Sequence, residues 1–442
     1  MKYKKYPQYK DSGVDWLGKI PSDWDVARVK NSSKIFNGAT PKSGTTEYWD
    51  GDISWIGPAD MGKISSRYIS GGARNITYSG YDSCGTTIIP EGSVILSSRA
   101  PIGKVAIAGK ELCTNQGCKS LIVNKYFSNI FIFYILTSNT VQLNLLGRGT
   151  TFLELSAEEL SSFNIPIPSL EEQQAIANYL DSATAKIDIL IEKQTKLIAL
   201  LKEKRQAVIS TAVTRGLDNT VAMKDSEVEW LGEIPEHWTR TPLRYIGRLQ
   251  NGISKGGDYF GSGYPFVNYG DIYKNATLPQ QVSGLAKSTK EDQHIYSVKT
   301  GDVFFTRTSE TIDDIGMAST CIKTIKKGTF SGFTIRFRQL SQTLNEHFSK
   351  YYFRTGHAQA FFEEQLNLVT RASLGQDILK QLPVLLPPLD EQQVIANYLD
   401  DKISKIDILI TKATKAIELL KEKRTALINS AVTGKIDVRE SE

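Results

Sequence analysis

The chain carries two copies of the same sequence blocks, and this internal repeat constrains the fold more than any other feature. Residues 11–24 read DSGVDWLGKIPSDW, and residues 225–238 read DSEVEWLGEIPEHW, a shift of 214 residues. A second block, EQQAIANYLDSATAKIDILI at 172–191, returns as EQQVIANYLDDKISKIDILI at 391–410, a shift of 219 residues. The segments enclosed by these blocks share almost no identity. Similar flanks around dissimilar centres indicate one architecture that serves two different targets.

Length and composition narrow the class of protein. A chain of 442 residues predicts about two to four domains, and 40% hydrophobic residues exclude wholesale disorder. No window approaches 18 uninterrupted apolar residues, the length of a membrane span. The basic start is followed by no apolar signal region, and four cysteines are too few for a disulfide scaffold, so we expect a cytoplasmic protein with reduced thiols. A net charge of +5 permits a nucleic-acid partner without requiring one.

The second repeated block predicts a long helix in each copy, over residues 172–214 and again after residue 391. Apolar residues recur at alternating steps of four and three, which is the heptad spacing of a coiled coil. The predicted seam residues are Ile176, Leu180, Ile187, Leu190, Leu197 and Leu201 in the first copy and Ile395, Leu399, Ile406, Leu409, Leu420 and Leu427 in the second. Gly216 and Gly434 are suitable stops for these helices.

A single seam of this length is unstable in water and needs a partner helix. The other copy is the first candidate, and antiparallel pairing within one chain would produce a pseudo-twofold axis that matches the duplicated sequence. The alternative is a homodimeric coiled coil between two chains. The lysines and arginines on the outer faces are either solvated or meet DNA or a protein partner.

The dissimilar centres, residues 39–164 and 253–382, alternate short strand-like runs with turns rich in Gly, Pro, Ser and Asn. Each also contains a helical stretch, at 130–138 and 348–366. The sequence therefore predicts a mixed α/β (α+β) protein in which two globular domains are joined by two long helices. The predicted boundaries are 1–165 for the first globular domain, 166–218 for the first long helix, 219–382 for the second globular domain, and 383–442 for the second long helix with its tail.

Candidate DNA-binding residues lie at strand ends and in polar loops of both centres. Arginines at such positions suit phosphate or guanine, because the planar guanidinium fork matches both, although a surface ion pair is their commoner fate. The Gly-rich loops after Asn37 and Asn251 can approach bases closely, or can be plain connections. The candidates are Thr40, Lys42, Ser43, Tyr48, Arg99, Arg148, Ser254, Lys255, Tyr259, Arg307 and Arg371. When the two centres are aligned by the order of their strand-like and helical runs, Arg99 and Arg307 each follow a strand, and Arg148 and Arg371 each follow a helix.

Motifs for catalysis are missing from the sequence. All four histidines lie in the second half, so a histidine-based reaction or metal site cannot be what the two copies share. There is no GxxxxGK[ST] loop for a nucleotide, and no Asn-Pro-Pro-aromatic motif for an amino-methyltransferase that acts on a flipped base. These observations argue against a stand-alone DNA methyltransferase or nuclease and leave open a duplicated coiled-coil scaffold without a DNA role. We predict no catalytic residue, no metal site and no cofactor of its own.

The chain resembles the specificity subunit of a type I restriction–modification complex. The resemblance rests on the opening YPQYKDSGVDWLGKIPSDW with its partial recurrence, on PIPSLEEQQAIANYLD at 166–181, and on PPLDEQQVIANYLD at 387–400. The loop at 38–57 also resembles a recurrent opening of the family's target recognition domains, whereas its second copy lacks the Thr-Pro and the Trp.

This resemblance implies a function and a set of partners. Each globular domain would be a target recognition domain that reads one half of a bipartite double-stranded DNA site. The long helices would pair antiparallel, set the spacer between the half-sites and dock two modification (methyltransferase) subunits. Two restriction subunits would supply translocation and cleavage. S-adenosylmethionine, ATP and Mg would be bound by those partners, and the present chain would carry out no chemistry.

Overall fold

A computed structural model of the chain describes residues 4–64, 66–99, 101–149, 153–309, 314–365 and 372–439. It divides into two compact units, which are built alike. Unit 1 comprises residues 1–194 together with 415–442, and unit 2 comprises residues 195–414. Within the described ranges, no helix combines the length and the apolar character that a membrane crossing requires.

The first half of the chain contains twelve of the described strands and seven of the described helices. The strands are β1 (Tyr9–Asp11), β2 (Lys19–Pro21), β3 (Asp25–Arg28), β4 (Ser33–Asn37), β5 (Trp49–Ile56), β6 (Tyr68–Ile69), β7 (Arg74–Ile76), β8 (Val94–Ser97), β9 (Val105–Ala108), β10 (Cys113–Thr114), β11 (Cys118–Val123) and β12 (Asn164–Ile167). The helices are α1 (Val29–Ser32), α2 (Pro58–Met61), α3 (Tyr78–Asp82), α4 (Asn129–Ser138), α5 (Thr140–Leu146), α6 (Ala157–Ser162) and α7 (Leu170–Arg215).

The second half follows a similar order of elements. Its described strands are β13 (Met223–Asp225), β14 (Glu233–Pro235), β15 (Thr239–Pro242), β16 (Gly247–Asn251), β17 (Phe260–Val267), β18 (Leu285–Ala286), β19 (Val303–Thr306), β20 (Thr308–Ser309), β21 (Ala318–Thr320), β22 (Thr329–Phe330), β23 (Thr334–Gln339), β24 (Ala372–Ser373) and β25 (Pro383–Leu386). Its described helices are α8 (Tyr269–Lys274), α9 (Lys290–Ile295), α10 (Glu346–Tyr352), α11 (Gly356–Gln365), α12 (Gln376–Leu379) and α13 (Leu389–Val432).

The sheets of the two units place their common strands in the same order despite low sequence identity, and β6 is an additional strand of unit 1. Unit 1 contains a sheet of order β4-β11-β8-β9-β6, and unit 2 contains one of order β16-β23-β19-β21. A second, three-stranded sheet has the order β10-β5-β7 in unit 1 and β18-β17-β22 in unit 2. Strands and helices mix in both units, so the predicted mixed α/β class is confirmed.

The first repeated block forms the same hairpin in each unit, β1 with β2 and β13 with β14. Its turn needs a glycine, because Gly18 and Gly232 have φ values of 64° and 63°, which side chains rarely adopt. Trp24 and Trp238, which follow the hairpins, are fully buried. Identity in this block therefore reflects the packing of a core.

The long helices extend over nearly the predicted residues, and each ends before a glycine with positive φ: Gly216 at 76° and Gly434 at 71°. They pair antiparallel inside each unit. In unit 1 Asp188 contacts Arg424 at 3.0 Å, while the N-terminal turn of α7 faces the tail beyond α13, with Glu172 3.8 Å from Arg439. In unit 2 Arg205 lies 3.1 Å from Asp407. The helices of a single chain thus supply both sides of each pair.

The seam itself differs from the predicted one in its middle. Leu190, Leu197 and Leu409 are exposed, at 46%, 43% and 49%, so the prediction that they lie in the seam is wrong. The partly buried positions are instead Ile191, Ile198 and Ile410, each of which directly follows one of these leucines, and Ile417, which is the repeat equivalent of Ile198. The sequence is ambiguous at this point, because Leu190 is followed directly by an isoleucine. The other predicted seam residues are buried, except Leu420, which is partly buried.

A buried glutamine of each long helix holds the globular part of its unit. Gln173 accepts a hydrogen bond from the backbone N–H of Ser128 at 2.9 Å and donates one to the carbonyl of Pro168 at 3.0 Å. Gln392 accepts from the N–H of Asn345 at 2.8 Å and donates to the carbonyl of Pro387 at 2.9 Å. The repeated Glu-Gln-Gln sequence is thereby explained as an anchor.

Two sequence predictions inside the centres need correction. The stretch 348–366 is not one helix, since α10 ends at Tyr352 and α11 begins at Gly356. At 100° per residue, Phe348 and Phe361 would point to nearly opposite sides of a straight helix; the break lets both enter the core. Among the strand-like runs expected in the first centre, residues 86–90 form no regular strand and make one isolated bridge, between Ile89 and Leu112.

Candidate nucleic-acid interface

The polar loop after β4 in unit 1 lies tightly against the loop that joins β10 to β11. The hydroxyl of Thr40 donates a hydrogen bond to Oε1 of Gln116. A side chain at Gly38 would place its Cβ 2.0 Å from the carbonyl oxygen of Asn115, so only glycine allows this approach. The predicted residue Thr40 is therefore held against a second loop that sequence inspection did not single out.

Three basic residues of unit 1 contact Glu154, two through their charged groups and one through its backbone. Arg99 Nη2 lies 2.9 Å from its carboxylate, and Lys119 Nζ lies 3.8 Å away. The backbone of Arg148 exchanges two hydrogen bonds of 2.9 Å with that of Glu154, and the guanidinium of Arg148 pairs with Glu159. Burial lowers the pKa of Lys119, although the nearby carboxylate opposes this shift. Arg99 and Arg148, predicted separately, are thus brought to one place.

Lys119, Arg148 and Glu154 border an open cleft of about 830 Å³, which we call the unit 1 cleft. Its walls include Asn37, Gln116, Lys119, Arg148 and Glu154. An amide and cationic groups in one groove can donate hydrogen bonds to base edges and phosphates. Neighbouring carboxylates hold the cations in place, so the cleft is a preorganised polar surface without a strong net charge.

The other candidates of unit 1 lie elsewhere on its surface. Lys42 and Ser43 are exposed in the loop before the short 3₁₀ turn at 46–48. Tyr48 is half-buried and packs against the small apolar cluster around Trp49. Sequence inspection missed Gln116, Lys119 and Glu154, because no local pattern distinguishes them.

In unit 2, two predicted residues converge on a single carboxylate. Lys255 Nζ and the hydroxyl of Tyr259 each donate to Asp292 at 3.0 Å, and the backbone N–H of Thr289 donates at 2.9 Å. Burial favours the protonated carboxyl, but these hydrogen bonds prevail and lower the pKa of Asp292 to about 2. Lys255 also lies 4.4 Å above the Tyr259 ring. The loop is therefore fixed by a carboxylate.

Arg307 of unit 2 supports a neighbouring loop. Its Nη1 donates to the carbonyl of Gly332 at 3.0 Å, and its backbone N–H donates to the carbonyl of Phe333 at 3.1 Å. Ser254 is exposed beside the same loop, since a Cβ on Gly332 would lie 2.1 Å from its hydroxyl. Arg371 lies outside the described residues. Arg307 and Ser254 are thus brought together, while Lys255 and Tyr259 face Asp292.

The structure corrects the expected correspondence between Arg99 and Arg307. The carbonyl of Ser98 accepts from Leu155 at 2.9 Å, and that of Arg307 accepts from Leu374 at 2.7 Å. Arg307 therefore occupies the place of Ser98, and Arg99 corresponds to the next residue. The order of strand-like runs in the sequence does not reveal this one-residue offset. The two arginines therefore occupy neighbouring positions of the shared fold and not equivalent ones.

The long helices present exposed apolar residues at repeat-equivalent positions. Unit 1 exposes Ile189 and Leu190 on α7 and Leu419 on its segment of α13. Unit 2 exposes Ile408 and Leu409 on α13 and Leu200 on its segment of α7. We call these two sets the outer apolar patches. Groups of exposed apolar side chains on one element are typical of protein-docking surfaces.

Catalytic machinery is not evident in the part of the chain that the structure describes. There, no group of three or more His, Cys, Asp or Glu side chains is arranged to hold a metal ion. The hydrogen-bonded carboxylates described above hold loops in place. The chemistry available at both surfaces is hydrogen bonding, ion pairing and apolar contact.

Comparison with known proteins gives one consistent family. The chain matches the family model "Type I restriction modification DNA specificity domain" at residues 21–199 and 235–419. It is 38% identical over 205 residues to the type I restriction enzyme MjaIX specificity subunit of Methanocaldococcus jannaschii, a match that spans 46% of each chain. It therefore aligns with about half the length of that relative. It is 22% identical to the MjaVIII specificity subunit of the same organism over 95% of each chain.

The fold also resembles that of a solved chain. A chain from work on complex assembly and conformational transition of the type I R-M system superposes with a TM-score of 0.66, at 16% identity over 93% of this chain and 98% of that one. The family model accounts for most of the residues and for both copies of the repeat. The chain belongs to the family of type I restriction–modification DNA specificity domains.

Proposed function

We propose that this chain is the non-catalytic specificity subunit of a type I restriction–modification complex, working in the cytoplasm. The globular parts, residues 1–165 and 219–382, each read one half of a bipartite double-stranded DNA site. The helical parts, residues 166–218 and 383–442, set the spacer between the half-sites and dock two modification subunits. Two restriction subunits complete the complex.

One observation carries this proposal: the two units share the order of their common strands but present different side chains at their surfaces. Both units place a Gly-rich loop against the loop before β11 or β23, yet unit 1 lines this region with Gln116 and Lys119, and unit 2 with Phe333 and Arg307. A duplicated scaffold that binds no ligand does not explain why the surface differs between the units while the fold is repeated. Two different readers on one frame match a site with two different half-sites.

The long helices support the role of a spacer. They contain 46 and 44 residues, which corresponds to roughly 65–70 Å at ~1.5 Å per residue. Both are continuous, and each contributes residues to both units. Half-sites on one duplex must keep a fixed phase, because DNA turns once in about 10–10.5 base pairs. A rigid helix can maintain that phase, whereas a flexible linker cannot.

The outer apolar patches support two copies of one docked partner. Ile189 and Leu190 recur as Ile408 and Leu409, and Leu200 recurs as Leu419. All of these side chains are exposed, so their identity in the repeat is not explained by core packing within the chain. Equivalent surfaces bind equivalent partners, which gives two modification subunits for each specificity subunit.

Domain exchange combined with methylome sequencing tests the proposal. Residues 39–164 would be replaced by the matching segment of another family member, and the modified motif would be read from the host genome. We expect one half-site to change while the other half-site and the gap length stay. A change in both half-sites, a change in neither, or a single ungapped motif would contradict the proposal. Methyl transfer by the purified chain alone would also contradict it.

A further inference from the structure

One loop occupies the same place in both units and carries opposite chemistry. The backbone N–H of Ser98 donates to the carbonyl of Gly117 at 2.7 Å, and that of Arg307 donates to the carbonyl of Phe333 at 3.1 Å. Gln116 and Gly117 of unit 1 therefore correspond to Gly332 and Phe333 of unit 2. An exposed amide stands at this loop in one unit, and an exposed aromatic ring stands there in the other.

The loop that carries Phe333 is held in place from three sides. The N–H of Gly332 donates to the carbonyl of Ile253 at 2.8 Å, and its own carbonyl accepts from Arg307 at 3.0 Å. The N–H of Phe333 donates to the hydroxyl of Ser331 at 3.3 Å. The next residue, Thr334, is buried at the start of β23. Phe333 thus projects from a fixed backbone while its side chain remains 65% exposed.

A phenyl ring that is exposed on a fixed loop is available for an apolar contact in the bound state. The edges of stacked base pairs present hydrogen-bond donors and acceptors, and their one apolar group in the major groove is the C5-methyl of thymine. We propose that Phe333 contacts the C5-methyl group of a thymine in the half-site read by unit 2. This inference rests on the proposed function, since it assumes that unit 2 reads duplex DNA.

The same loop of unit 1 predicts a different kind of readout, because its exposed side chain is that of Gln116, one residue before the counterpart of Phe333. Oε1 of Gln116 accepts the hydroxyl hydrogen of Thr40, so the side-chain amide is oriented and its N–H₂ group remains to donate to a base. An amide gains nothing from a methyl group. Dependence on a thymine methyl through this loop is therefore confined to one half-site.

Deoxyuridine substitution tests the contact directly, because deoxyuridine pairs as thymine does and lacks only the methyl group. The complex of the full chain with its partner subunits would be titrated with duplexes that contain the motif found by methylome sequencing. Each thymine of both half-sites would be replaced in turn. Burial of one methyl group corresponds to about a fourfold change in affinity, so we expect a loss of about that size at one thymine in a single half-site.

Variants assign the effect to Phe333. The Phe333→Ala complex is expected to bind the thymine and deoxyuridine duplexes equally well, and Phe333→Leu is expected to keep part of the difference. Leu340→Ala is the matched control, because Leu340 follows the opposite end of β23, is 61% exposed, and should leave the difference intact. Exchange of residues 219–382 should abolish the dependence, since it replaces the reader.

Several results would overturn the inference. They are a half-site of unit 2 without thymine, full affinity of the wild type for every deoxyuridine duplex, and an undiminished methyl effect in Phe333→Ala. Equal weakening of all duplexes by Phe333→Ala would overturn it too, and would indicate a wedge between base steps. If any of these results is found together with a gapped motif, only the inference about Phe333 is refuted and the proposed function is retained. An ungapped motif would refute the proposed function itself.

Discussion

Nε of Arg424 donates a hydrogen bond to Oδ1 of Asp188, 3.0 Å away, across the paired helices of unit 1. The pair Arg205–Asp407 of unit 2, at 3.1 Å, consists of the repeat-equivalent residues with the helices exchanged. Both arginines are 219 residues apart in the chain, and so are both aspartates. The two pairs therefore define the same antiparallel register.

We predict that these ion pairs contribute little to stability. The side chains are about a third to a half exposed, and exposed pairs contribute only about 0.2–1 kcal/mol. Arg424→Glu should lower the free energy of unfolding by about that amount, and Asp188→Arg in the same chain should restore it. Urea denaturation at low salt measures both changes. A loss of several kcal/mol in the free energy of unfolding would contradict this prediction and show that the pair contributes substantially to stability.

The anchor glutamines should matter far more. Gln173→Ala leaves the buried N–H of Ser128 and the carbonyl of Pro168 without this partner, and an unsatisfied buried group costs about 1–3 kcal/mol. The adjacent Gln174 is the matched control, because it is exposed and donates to Asn178 of its own helix. Chemical denaturation of both alanine variants should therefore separate them. Equal effects would refute the anchor role.

A charged residue introduced into one outer apolar patch should prevent one modification subunit from binding. Leu190→Glu is expected to abolish docking on unit 1, and Leu409→Glu docking on unit 2, because a buried unpaired carboxylate is costly. Native mass spectrometry should then find one modification subunit for each single variant and none for the double variant. Thermal melting of the free chain is the control and should change little, since both leucines are exposed. Two bound subunits in the double variant would contradict the proposal.

Acid should release the loop of Lys255 before the unit unfolds. The pKa of Asp292 is lowered from 3.8 to about 2, so its contribution to stability is complete above about pH 4 and is lost as the pH falls toward 2. The wild type and Asp292→Asn should therefore differ in unfolding midpoint at pH 6 and converge near pH 2. A difference that persists unchanged at pH 2 would contradict this assignment.

Lengthening both long helices should lengthen the DNA gap. One heptad inserted after Gln194 and another after Thr414 adds about 10 Å of helix, equivalent to roughly three base pairs at ~3.4 Å each. The seam is preserved, because a heptad returns the same face to the partner helix. Methylome sequencing should show unchanged half-sites around a longer gap. An unchanged gap would show that the helices do not set it.

Sequence alone predicted the helices better than the surfaces. Heptad spacing placed the first helix at 172–214, against an observed span of Leu170–Arg215, because periodicity is a local signal. It failed where two apolar residues adjoin, at Leu190 and Ile191, since either choice continues the pattern. Which one turns inward depends on the partner helix, and single-helix periodicity does not contain that information.

The candidate site was predicted only in part, for a related reason. Thr40, Arg99 and Arg148 were found from their residue types and loop positions. Glu154 was missed, although it joins Arg99 to Lys119, because its role depends on residues far apart in the chain. The offset between Arg99 and Arg307 became visible only through backbone hydrogen bonds, which fix equivalence where identity is low.

The makeup of unit 1 has a consequence for the order of folding. Leu427, Ile428, Ala431 and Val432 belong to the same apolar core as Trp24 and Ile176. A ribosome that has completed residue 194 must still add more than two hundred residues before that core can close. The first half of the chain to be synthesised is therefore the last to finish folding, and its open apolar face is a target for chaperones while translation continues.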